Sequence, residues 1–108
     1  MLKLGSIVWA EVSDPSGHNP KCRPLVVIRE ITDSSYLAVA ASTKVPEPLR
    51  SDMVLLPFAR NGSCNTGLRS KTVAVCSWVM IIQESSIQEV GGFVPKQKVA
   101  EILERLPR

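Results

Sequence analysis

Proline placement constrains this chain more than any other feature. Eight prolines stand at positions 15, 20, 24, 46, 48, 57, 95 and 107 of 108 residues. Each fixes its own φ and removes a backbone donor, so none sits comfortably inside a long helix or a central strand. Six glycines add further turning points. The apolar runs left between these breaks are short, which favours strands and turns over a helical bundle.

Gly5-Ser6-Ile7-Val8-Trp9-Ala10-Glu11-Val12 reads as the first strand, from its β-branched and aromatic content. Asp14-Pro15-Ser16-Gly17 supplies turn chemistry, and Pro20 prolongs the break into a loop of about ten residues. Leu25-Val26-Val27-Ile28 is apolar on both faces, as a central strand is, and Tyr36 to Ser42 forms the next strand. Pro46 and Pro48 make the segment from Lys44 to Asp52 a solvent-facing loop, after which Met53-Val54-Leu55-Leu56 is a short strand closed by Pro57. Phe58 to Gly67 is dense in turn residues. Lys71 to Ile82 is the longest strand candidate. Twelve extended residues would span about 40 Å, too far for a small sheet, so a bend or bulge is expected near Ser77-Trp78. Pro95 opens the one clear helix, with Val99, Ile102, Leu103 and Leu106 expected on its apolar face.

These elements predict a mainly β chain, residues 1–108 forming one domain: a small antiparallel barrel with a C-terminal helix. Composition does not separate an SH3-like barrel from an OB-fold. Thirteen Lys and Arg against ten Asp and Glu give a net charge of +3, too weak alone to argue for nucleic acid. Three cysteines, at 22, 64 and 76, form no Cys-x-x-Cys pair. That odd count fits a reducing compartment, and with His18 it does not supply a comfortable zinc site. Cys76 reads as a small buried hydrophobe. The apolar stretch from Ile7 is too short for a signal-peptide core, and the run from Val73 to Ile82 is about half the length of a membrane span. A cytoplasmic protein with no membrane segment, metal or cofactor is expected.

The chemistry concentrates between Gly17 and Thr43. If the strands around Val26 and Val39 pair antiparallel, the start of the first and the end of the second share an edge. Arg23 and Thr43 then stand on one rim. Pro24 holds Arg23 extended as it leaves the loop.

Several pieces of the chain, in order, resemble the PemK/MazF/Kid type of type II toxin–antitoxin ribonucleases. They are Gly5-Ser6-Ile7-Val8-Trp9, Asp14-Pro15…Gly17-His18, Arg23-Pro24-Leu25-Val26-Val27-Ile28, Val39-Ala40-Ala41-Ser42-Thr43, Gly67-Leu68…Val73-Ala74-Val75-Cys76 and the final helix. The resemblance implies an SH3-like (CcdB/PemK-type) barrel that forms a homodimer and cleaves single-stranded RNA, mRNA included, without a metal. It also implies an antitoxin that lies over the site. Arg23 matches the family's catalytic arginine, Thr43 its catalytic threonine or serine, and His18 a substrate-contacting histidine of some members. Ser77 stands where some members carry an aspartate, and Val75 where an arginine often stands.

Metal-free RNA cleavage needs a base for the 2′-OH, donors for the phosphorane oxygens and an acid for the 5′-oxygen. Arg23 suits the second task, because guanidinium binds phosphate bidentately and stays protonated. Thr43 has the hydroxyl to bond a phosphate oxygen or place the 2′-OH, and strand alternation expects only one of Ser42 and Thr43 to face the site. His18 alone has an unperturbed pKa near neutrality, which suits proton exchange. Lys21, Ser42, Lys44, Arg69 and Ser77 are candidate substrate contacts, and Arg50 and Lys71 further candidates for a phosphate groove. Trp78 and Phe58 have faces on which bases stack, although Trp9 and Trp78 equally suit a core or dimer interface. Ordinary surface roles exist for each of these residue types. With no acid at position 77, a non-catalytic barrel binding RNA or a protein is the alternative. A CcdB-like topoisomerase poison is a third reading.

Overall fold

The computed structural model describes residues 2–107. Six strands form one antiparallel sheet in the order β4-β5-β3-β2-β1-β6. They are β1 (Ser6–Val12), β2 (Lys21–Thr32), β3 (Ser35–Ser42), β4 (Met53–Leu56), β5 (Thr72–Gln83) and β6 (Ile87–Phe93), followed by helix α1 (Lys96–Glu104). The mainly β architecture with one terminal helix is as expected.

β2 runs well beyond its apolar centre. Its register with β1 pairs Trp9 with Pro24 and Ala10 with Arg23. The ladder to β3 begins only at Leu25, opposite Ala40. At position 24 the strand therefore has a neighbour on one side only, which is where a strand tolerates a residue without an N–H. From Leu25 to Ile28 both faces are covered and all four residues are buried. Val26 and Ile28 join Ile7, Val39 and Ala41 in the core beneath α1, where Val99 and Ile102 close it. Leu25 and Val27 face the other way, among Val8, Ala10, Tyr36, Ala38 and Ala40.

β5 carries the expected irregularity. Val39 pairs with Val79, yet the next residue, Ala40, pairs with Val75, so Cys76-Ser77-Trp78 bulge from the ladder. Asp52 clamps the bulge from outside. Its carbonyl accepts the Cys76 N–H at 2.7 Å, and its carboxylate accepts the Ser77 hydroxyl at 2.5 Å. The bend lets a long strand serve a small barrel.

β6 escapes the sequence reading. Its pattern, Ile-Gln-Glu-Val-Gly-Gly-Phe, is mostly exposed and has two adjacent glycines, so neither periodicity nor propensity marks it. Gly92 is required there by space: a Cβ would lie 2.0 Å from the Asn65 carbonyl oxygen. That approach brings the segment after β4 onto the far edge of the sheet, where the Phe93 N–H donates to Asn65 O at 2.9 Å. The helix starts as expected, but Leu103 is 41% exposed and lies off the buried stripe of Val99 and Ile102. No described helix is long and apolar enough to cross a membrane.

Candidate active site

The end of β1, the start of β2, the end of β3 and the segment before β5 surround an open groove of about 990 Å³. Arg23, Thr43, Lys21, Ser42, Lys44 and Arg69 all line it, with Trp9, Trp78 and Asp14. The antiparallel β2–β3 register produces this meeting. Arg23 lies two residues before Leu25, and Ser42 two after its partner Ala40, so both project toward the face of that pair. Thr43 joins them although alternation expects the opposite face, because β3 ends at Ser42 and the chain bends at Thr43. Both residues therefore line the groove.

Arg23 is held on three sides. Its Nε donates to Val12 O at 3.3 Å and its Nη2 to Asn19 O at 3.1 Å. Its Cζ stands 5.1 Å from the centre of the Trp78 ring. Both acceptors are neutral carbonyls. Among the described residues no carboxylate pairs with Arg23, and none pairs with Lys21, Lys44 or Arg69. Four cations thus face one groove with a single acidic neighbour, Asp14. A fixed guanidinium without a carboxylate partner has the charge and donor geometry that suit a phosphate oxygen pair.

Asp14 is occupied. Its Oδ1 accepts the Ser16 N–H at 3.0 Å, the Ser16 hydroxyl at 2.6 Å and the His18 N–H at 2.9 Å. Its Oδ2 accepts the Asn19 amide at 2.9 Å. The Ser16 hydroxyl, the His18 N–H and the Asn19 amide, in that order of effect, lower its pKa to about 2, because donors favour the charged carboxylate. His18 is exposed on this loop between Pro15 and Asn19, which line the groove, but does not line it itself; its Nδ1 lies 3.0 Å from Ser16 Oγ. Thr43 makes no side-chain hydrogen bond among the described residues, and Ser42 Oγ accepts the Lys44 N–H at 3.1 Å.

Ser77 is not brought into the groove, since it points from the bulge to Asp52. Arg50 holds the same carboxylate in a fork, at 3.1 and 3.0 Å. These contacts, the Arg50 fork first and Ser77 second, lower the Asp52 pKa. Lys71 lies 3.9 Å from Glu47, and Phe58 does not line the groove. Among the described residues no three His, Cys, Asp or Glu side chains group as metal ligands. Sequence reasoning missed Asp14 and Asn19 as organisers of Arg23 and His18. The signal was the Asp-Pro-Ser-Gly turn, whose aspartate commonly bonds the backbone two residues on.

The model of one family, the PemK-like, MazF-like toxin of type II toxin–antitoxin systems, matches residues 3–108. The chain belongs to that family. Two solved structures share the toxin's fold. A MazE–MazF crystal structure from Deinococcus radiodurans is 20% identical with a TM-score of 0.71, covering 97% of this chain and 91% of its own. The Mycobacterium tuberculosis toxin MazF-mt6 is 13% identical with a TM-score of 0.67, covering 94% of this chain and 91% of its own. They place the toxin's sheet among MazF-type barrels, which resolves the choice between SH3-like and OB architectures. No curated protein matches the sequence.

Proposed function

We propose that this toxin is an endoribonuclease that cleaves single-stranded RNA in the groove between Arg23 and Thr43 without a metal. The observation that carries the reading is the Arg23 guanidinium, fixed by two carbonyls and Trp78 yet unpaired with any described carboxylate, in one groove with Thr43. Family membership supports the reaction class.

In this reading the 2′-oxygen attacks the adjacent phosphorus as its proton passes to a base. The O2′–P bond forms, the P–O5′ bond breaks, and an acid returns a proton to the leaving 5′-oxygen. The products are a 2′,3′-cyclic phosphate and a 5′-hydroxyl. Arg23 bears the charge that grows on the non-bridging oxygens, and Thr43 donates to one of them or orients the 2′-OH. His18, on the loop that Asp14 organises, exchanges the proton. Lys21, Lys44 and Arg69 hold flanking phosphates. Ser77 takes no part in these steps, and its bond to Asp52 assigns it to the bulge. None of the steps needs a metal, because the groove meets the developing charge with cations and hydroxyls.

A type II toxin has an antitoxin partner. This one is proposed to be an acidic chain that covers the four cations, as MazE accompanies MazF in the Deinococcus complex. A homodimer is also proposed, supported by the exposed Leu4, Val90 and Phe93 near the β1–β6 edge, and the protein is taken to act in the cytoplasm. The test is incubation of the purified protein with a randomised single-stranded RNA library in EDTA. Fragments ending in cyclic phosphate are expected. Intact RNA bound to the protein would favour the non-catalytic barrel, and intact, unbound RNA would favour the topoisomerase poison.

A further inference from the structure

The loop between β1 and β2 dictates where His18 carries its proton. Asp14 is ionised, so the hydrogen in its 2.6 Å contact with Ser16 Oγ belongs to the serine. That hydroxyl has one hydrogen, and it is spent. Ser16 Oγ therefore meets His18 Nδ1, 3.0 Å away, as an acceptor, and the ring nitrogen must be the donor. The remaining nitrogen, Nε2, has no partner in the loop.

We infer that Asp14 and Ser16 are positioning residues that lock His18 in the Nδ1–H form and offer Nε2 as the atom that exchanges protons with the substrate. The inference deepens the proposed ribonuclease reading and rests on it. The same carboxylate also reaches Arg23: Asp14 Oδ2 receives the Asn19 amide, and the Asn19 carbonyl receives the Arg23 guanidinium. Asn19 adopts a left-handed φ of 53°, which aims its side chain and carbonyl at these two partners and which asparagine tolerates better than most residues. One anion thus sets the proton-exchanging ring and, through Asn19, the phosphate-binding fork. In the neutral ring Nε2 accepts the 2′-OH proton, and in the protonated ring it returns one to the 5′-oxygen. Nδ1–H stays on Ser16 throughout.

His18 is the chain's single histidine, so its ring nitrogens give one unambiguous set of 15N signals. In the 15N-labelled toxin with the ring neutral, the expected spectrum is that of the Nδ1–H tautomer. Ser16→Ala is expected to move those signals toward the Nε2–H form and lower kcat about 10-fold on the RNA library with KM within about twofold. Ser16→Thr, which keeps the hydroxyl, is expected to restore both. An Nε2–H ring in the unaltered protein, or a tautomer indifferent to Ser16→Ala, overturns the inference and leaves the ribonuclease reading standing. RNA cleavage indifferent to Arg23→Ala rejects that reading, whatever the tautomer.

Discussion

Arg23 lies over Trp78, with its guanidinium carbon 5.1 Å from the ring centre, although the two residues are far apart in sequence. The bulge in β5 makes the contact possible, because it displaces Trp78 from its place beside Ala40. A cation held against an indole face contributes about 0.5–1 kcal/mol at a partly exposed site. A double-mutant cycle of Arg23→Ala and Trp78→Leu, read by urea unfolding, should return a coupling energy in that range. Additive losses would show that the stack does not hold the guanidinium.

The loop that organises the site should be acid-sensitive at Asp14. Its folded pKa, about 2, lies below the ordinary 3.8. A depressed carboxyl contributes stability in full above its unfolded value and loses it as pH falls through the folded one. Loop order should therefore fade between about pH 4 and about pH 2. Amide signals of Ser16 and His18, followed by NMR on acidification, should move together in that window, and Asp14→Ala should abolish the transition.

RNA binding should weaken steeply with salt. Each phosphate contact on a single strand adds about 0.7 to the slope of log K against log salt. Replacing Lys44 and Arg69 together with alanine should lower that slope by about 1.4, with little change in the unfolding midpoint, because both side chains are exposed and unpaired among the described residues. Fluorescence anisotropy of a labelled single-stranded RNA over a salt series measures it.

Much of this molecule was legible in its residues. The bulge at Ser77-Trp78 followed from strand length alone, and the shared rim of Arg23 and Thr43 from antiparallel pairing. β6 was not legible, because it is held by the close approach of Gly92 to Asn65, a tertiary contact with no local pattern. Leu103 fits the helical period, yet the core beneath α1 closes on Val99 and Ile102 without it. Ser77 was placed in the site by its match to the family's acid, whereas the fold gives its hydroxyl to Asp52. The partners of Asp14 depend on a loop conformation, including the left-handed Asn19, that residue order alone does not specify.

The most direct test of the central claim compares initial rates of single-stranded RNA cleavage, in EDTA, by the unaltered toxin and by Arg23→Ala, with folding verified by urea unfolding. Loss of the fixed guanidinium should lower kcat/KM by about 10²–10³-fold. Arg23→Ala cleaving at the unaltered rate would contradict the account.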